Sequence, residues 1–177
     1  MADSSPTVSP DPASVASSSA LVGLEILQAE SDSQIASIRE LFLEYAQSLG
    51  FSLCFQSFDQ ELARLPGDYA SPEGRLLLAS VEGAPAGCVA LHKLGAEICE
   101  MKRLYVRPQF RGKGLGKILA EQVITEARQI GYKQLRLDTV EPMMRTAVAM
   151  YRILGFREIT PYRANPIEGA LYMELQL

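Results

Sequence analysis

The chain has one histidine, His92, and only three cysteines, Cys54, Cys88 and Cys99, with no Cys-x-x-Cys spacing. Zinc sites assembled from paired Cys and His ligands are thereby excluded, and no metal is expected. The odd, unpatterned thiols read as reduced, packed side chains of a cytoplasmic protein. Cys88 and Cys99 fall in neighbouring predicted strands, where they could approach each other. Basic residues are not in excess: 17 Lys and Arg against 21 Asp and Glu leave a net charge of −4. That balance argues against a nucleic-acid-binding surface over the whole protein. No apolar run reaches the length of a membrane span, so no membrane partner is expected. Residues 1–20 are mostly Ser, Ala, Pro, Val and Asp, and lack both a basic start and a continuous apolar core. They read as a disordered tail rather than a secretory leader.

What remains, residues 21–177, is enough for one well-buried domain. Leu21–Gln28 reads as a strand, and Ser31 or Asp32 caps a helix carrying Ile35, Ile38, Leu41, Phe42 and Tyr45 at helical spacing. A second helix is expected within Phe51–Leu65. Arg75–Glu82 and Ala86–Leu94 read as a hairpin turning at Gly83-Ala84-Pro85, and Ile98–Val106 as the next strand. Leu115, Leu119, Val123, Ala127 and Ile130 keep one helical face until Gly131 stops it. Lys133–Val140 is a strand, Pro142 opens a helix running to Leu154, and Phe156–Pro161 with Ala170–Leu177 close the fold. Strand, helix, strand over residues 98–140 is a crossover unit, which makes those two strands parallel neighbours. The fold class is therefore α/β, a mixed central sheet of about seven strands with helices on both faces.

The charge that is present is local. Leu104-Tyr-Val-Arg-Pro-Gln-Phe-Arg-Gly-Lys-Gly-Leu-Gly-Lys117 runs from a strand through alternate glycines, Gly112, Gly114 and Gly116, into a helix N-terminus, beside Arg111, Lys113 and Lys117. Free backbone N–H groups and the positive end of a helix dipole make such a turn an anion site. It is not a P-loop, because Gly112 to Gly116 is one residue too short and Ile118 stands where a hydroxyl is required. Nor is it a dinucleotide fingerprint, because the sixth position from Gly112 is Lys117.

Arg111-x-x-Gly114-x-Gly116 resembles the Arg/Gln-x-x-Gly-x-Gly/Ala signature of the acetyl-CoA-dependent N-acetyltransferase (GNAT) superfamily. Downstream, Ala147-Val-Ala-Met-Tyr151-Arg-Ile-Leu-Gly155-Phe156 is similar to that family's second segment, Ala-x-x-x-Tyr-x-x-x-Gly-Phe. The resemblance implies a parallel strand pair that splays apart after Val106, with acetyl-CoA as co-substrate between the strands. It implies that the backbone of Leu104, Tyr105 and Val106 bonds the pantetheine arm. It also implies that residues 111–117, Arg111, Gly112, Lys113, Gly114, Leu115, Gly116 and Lys117, hold the pyrophosphate, and that the Tyr151 hydroxyl sits near the thioester sulfur. Leu104 and Val106 share one strand face and Tyr105 takes the other. A lysine-like acceptor amine costs about 4.6 kcal/mol to deprotonate at pH 7, so a base is expected. Glu100, read as sharing a strand face with Val106, resembles the glutamate some members use; Glu97 and His92 are weaker candidates.

The chain departs from the family pattern at Met144, where an Asn amide often bonds the cofactor arm. The resemblance implies transfer of acetyl to a primary amine of a small molecule or peptide by direct attack in a ternary complex. The cysteines lie outside both motifs. A non-catalytic acyl-CoA-binding or sensing module on the same fold stays open as the alternative, as does a homodimer. The acceptor is expected to meet residues 42–65 and the loop 162–169, where Tyr45, Phe51, Phe55 and Tyr162 could line an apolar pocket.

Overall fold

A computed structural model of the protein describes residues 21–53 and 57–177. The expectations for the 1–20 tail, for Cys54 and for Phe55 lie outside the described residues. Along the chain run β1 (Leu24–Gln28), α1 (Asp32–Ser48), α2 (Phe58–Arg64), β2 (Arg75–Val81), β3 (Ala84–Lys93), β4 (Ile98–Val106), α3 (Leu115–Ile130), β5 (Gln134–Val140), α4 (Arg145–Ile153), β6 (Arg157–Glu158) and β7 (Ala170–Gln176). The strands make one mixed sheet in the order β1-β2-β3-β4-β5-β7-β6, in which only β4 and β5 are parallel.

Local chemistry accounts for most boundaries. Ser31 and Gln34 form a reciprocal capping box at the start of α1, whose Ile35, Ile38, Leu41 and Phe42 are buried. The hairpin between β2 and β3 turns at Glu82-Gly83, both with positive φ (50° and 79°), a two-residue turn suited to strand twist. Ala84 and Pro85 therefore belong to β3 rather than to the turn, and Pro85 is accommodated beside a bulge opposite Ala79 and Ser80. Pro142 lies before α4 instead of in its first turn. The Met144 N–H bonds the Glu141 carbonyl at 3.3 Å, closing a separate turn with Pro142 at its second position. The expected strand 156–161 shortens to Arg157–Glu158, and β7 inserts between it and β5.

Two cores flank the sheet. Leu115, Leu119, Val123 and Ala127 of α3 and Tyr151 of α4 pack on one face; Ile38, Leu41 and Phe42 of α1 and Phe58 of α2 pack on the other. Cys88 belongs to the α1-side core and Cys99 to the α3-side core, so the two free thiols face opposite ways and do not meet.

One irregularity sets the site. Arg103, inside β4, has φ +56°, and the register with β3 slips there: Ala90 pairs with Lys102 but Cys88 pairs with Tyr105. This is a β-bulge, one extra residue that reverses the alternation of everything beyond it. Cys99 and Met101 before it, and Leu104 and Val106 after it, face α3. His92, opposite Glu100, and Tyr105 itself face α1. Glu100 and Val106 thus lie on opposite faces, which corrects the same-face expectation.

Candidate active site

The parallel ladder holds only three pairs, ending at Glu100↔Arg136. The fork between β4 and β5 therefore opens well before Val106, earlier than expected, because the bulge turns β4 away from its neighbour. A cleft of about 940 Å³ runs through the sheet at this fork, from the glycine loop and α4 on one side to the end of α1 on the other.

The donor end is built from backbone. Gly112 and Gly114 have φ of +75° and +84°, values that L side chains rarely adopt, and nothing lies within 4 Å of a Cβ placed on either. Gly114 is the α3 N-cap and offers no side-chain cap. The first N–H to close a helical turn is that of Ile118 on the Gly114 carbonyl, so the N–H groups of Leu115, Gly116 and Lys117 precede the ladder. Open space above left-handed glycines, with orphan donors at a helix N-terminus, fits an extended phosphate group. Below the loop, the cleft edge of Leu104–Val106 has no strand partner among the described residues, and the Val106 carbonyl accepts from Arg111 Nε at 2.8 Å. Arg111 folds back over the Tyr105 ring, 5.6 Å from its centroid. Lys117 pairs with Glu121 along the exposed helix face, and Lys113 is exposed and does not line the cleft.

Tyr151 projects from α4 into the cleft between Ala147 and Phe156, its ring 5.6 Å from that of Phe156. Only 7% of it is exposed, and among the described residues its hydroxyl has no hydrogen-bond partner. Burial, with nearby Tyr45, pushes the phenol well above its ordinary pKa, so it is a protonated donor at neutral pH. Met144 also lines the cleft, and its thioether accepts from Thr139 Oγ1 at 3.2 Å.

Glu100 is fully buried behind the fork and does not line the cleft. Its carboxylate accepts from Tyr162 Oη at 2.6 Å, meets His92 Nε2 at 2.7 Å, and takes Arg163 at 3.0 and 3.1 Å. Burial alone raises its pKa, but the His92 hydrogen bond and the Arg163 guanidinium outweigh it and hold the group below its ordinary value. Glu97 stands in the turn before β4, away from the cleft. Of the expected apolar lining, Tyr45 and Phe51 face the cleft and Tyr162 does not.

The carboxylate that does line the cleft is Asp138, two residues beyond the last parallel pair on β5. It accepts from Arg163 and, at 3.0 Å, from Asn165 Nδ2. Arg163 thus spans the fork, holding Glu100 of β4 and Asp138 of β5 on one guanidinium. Sequence reasoning missed Asp138, although its alternation with Leu135 and Leu137 placed it on the face away from α3. Lys102 of β4, on the same side of the sheet as Ala90, is the second group it missed.

The acetyltransferase (GNAT) family profile matches residues 35–156. An uncharacterised N-acetyltransferase of Schizosaccharomyces pombe is 42% identical over 139 residues, covering 77% of this chain and 85% of that relative. An acetyltransferase from Streptococcus agalactiae superposes with a TM-score of 0.69 at 23% identity, over 88% of this chain and 99% of that one. A GNAT acetyltransferase from Elizabethkingia anophelis, solved with acetyl-CoA bound, superposes with a TM-score of 0.64 at 21% identity, over 88% and 99% of the two chains.

Proposed function

The chain belongs to the acetyltransferase (GNAT) family, and on that premise we propose that it transfers acetyl from acetyl-CoA to a primary amine of a small molecule or peptide, by direct attack within the cleft. The observation that carries this reading is the Tyr151 hydroxyl, protonated, unpartnered among the described residues and set in a cleft open to both faces of the sheet. The co-substrate supplies an activated acyl group on sulfur. The N-terminal N–H groups of α3, with Arg111, Gly112, Gly114 and Gly116 around them, hold its pyrophosphate, and Lys113 and Lys117 add charge nearby. The free edge of Leu104–Val106 takes its arm as a strand would.

The acceptor enters from the α1 side. Its nitrogen, as the neutral amine, bonds the acetyl carbon as the carbon–sulfur bond breaks; the sulfur takes a proton from Tyr151, which regains one from solvent, and the nitrogen loses one toward Asp138. Glu100 acts through Arg163, which it shares with Asp138, as the residue that positions this carboxylate. Among the described residues a covalent acyl-cysteine route finds no support, because Cys88 and Cys99 are buried and neither lines the cleft. Burial pushes the Cys99 thiol up to about 12, and packed, reduced thiols of this kind suit a cytoplasmic setting. Among the described residues no helix is long and apolar enough to cross a membrane.

Calorimetry with acetyl-CoA, followed by thiol release on addition of an amine panel, tests the reading. Binding with release is expected. Binding without release for any amine would make the protein an acyl-CoA-binding module, and absence of binding would overturn both readings.

A further inference from the structure

We propose that the acceptor is an amine that also carries a carboxylate, an amino acid or close relative, with Lys102 holding the carboxylate and Asp138 receiving the amino group. The proposal rests on the acetyl-transfer reading of the same cleft and names its substrate class.

Among the described residues, the buried and half-buried charges on the α1 side of the fork include three cations, Lys102, Arg103 and Arg163, and three carboxylates, Glu61, Glu100 and Asp138; Arg145, which also lines the cleft, is exposed to solvent. Arg103 is bound by Glu61 through Nε at 2.9 Å and a second nitrogen at 2.6 Å. Arg163 is divided between Glu100 and Asp138. Among the described residues Lys102 has no hydrogen bond and no ion pair, yet it is half-buried and lines the cleft.

The set is neutral as a whole but unevenly paired. One guanidinium serves two carboxylates on the Asp138 wall, and one ammonium stands unmatched on the Lys102 wall. Glu100 and Glu61 lie near enough to act on that ammonium, but both are bonded to guanidiniums, and a partly desolvated ammonium is costly to leave without a bonded partner of its own. The wall between carries Tyr45, Phe51 and Leu53, and among the described residues it offers no carboxylate to bond Lys102, a place that a ligand's carboxylate fits. A zwitterion satisfies both walls at once: its negative group completes Lys102 and its amino group meets the surplus on Asp138. A simple alkylamine or polyamine meets Asp138 but leaves Lys102 unmatched. Burial and the neighbouring Arg103 already lower the Lys102 pKa, which adding a carboxylate partner reverses.

The test compares acceptors that differ only in the carboxylate: phenylalanine with phenethylamine, leucine with isopentylamine, and lysine with cadaverine. Thiol release is followed in the wild type, Lys102→Met and Lys102→Arg, with acetyl-CoA affinity measured by calorimetry on each. The acid is expected to be preferred in every pair used. Lys102→Met should raise KM for the acid about tenfold to a hundredfold, the scale of one charged hydrogen bond, and leave kcat, the decarboxylated amine and acetyl-CoA affinity unchanged. Lys102→Arg should restore most of the loss. Equal use of both members of each pair, or equal loss on both in Lys102→Met, overturns the proposal while the transfer reading stands. Failure to bind acetyl-CoA overturns the transfer reading itself.

Discussion

Removing one oxygen atom separates chemistry from packing at Tyr151. The ring is buried against Phe156 in the α3-side core, while the hydroxyl has no partner among the described residues. Tyr151→Phe therefore keeps the ring contacts, strands no donor or acceptor, and opens no cavity. The expected stability change is below about 0.5 kcal/mol, because a net loss of about 1 kcal/mol requires a hydrogen bond to be broken. In a chain of this size that is at most about 2 °C in Tm. The rate tells a different story. A positioned proton donor contributes about 10²–10⁴-fold, or about 3–5 kcal/mol of barrier, so kcat should fall by that factor with little change in acetyl-CoA affinity. Thiol release at saturating acetyl-CoA and a thermal melt of the same preparation give both numbers. A kcat within twofold of wild type, or a Tm lower by more than about 5 °C, would refute the reasoning and reduce Tyr151 to a packing residue.

Glu61→Gln removes the carboxylate paired with buried Arg103, and should cost about 3–5 kcal/mol by chemical denaturation. Burial raises the Glu61 pKa, but the Arg103 hydrogen bond outweighs it and the folded value lies below the unfolded one. Its contribution is thus complete above the unfolded pKa of about 4.3 and lost as pH falls through the folded value. The variant's stability should accordingly vary less than wild type's between pH 5 and 3, taken as rough bounds on that interval. Gly114→Val places a branched side chain at φ +84°. It should cost at least about 1–2 kcal/mol of backbone strain and weaken acetyl-CoA binding about tenfold or more by calorimetry, the scale of one lost charged hydrogen bond. Ser31→Ala removes the α1 capping box, and should lower stability by about 1 kcal/mol in a thermal melt while leaving kcat unchanged.

The order of strands and helices was legible because local signals are strong here: Ser31 and Gln34 at a helix start, Gly131 at a helix stop, and alternation in Leu135-Arg136-Leu137-Asp138. The glycine loop was legible for the same reason, since spacing alone separates it from other phosphate loops. The β2–β3 turn starts one residue earlier and ends two earlier than expected, because Gly-Ala-Pro carries turn chemistry whereas Glu82 adopting φ +50° leaves no mark in composition. The face of Glu100 was misread for a deeper reason. Period-two counting assumes an unbroken ladder, and an arginine at positive φ in mid-strand carries no sequence signal. The loop 161–169 is irregular, so nothing local announces that Tyr162, Arg163 and Asn165 converge on Glu100 and Asp138. Those contacts span 25 to 63 residues in sequence and belong to tertiary structure alone.

The residue inserted at Arg103 behaves as a shift of reading frame in three dimensions. Upstream side chains are read in one frame and downstream ones in the other, so a single strand presents Lys102 toward α1 and, only a few residues later, the Leu104–Val106 edge along the opening fork. A chain shortened by this one position would keep nearly every chemical group and exchange the faces they meet. The length of β4 is therefore itself a determinant of specificity, separable from the identity of any residue in it.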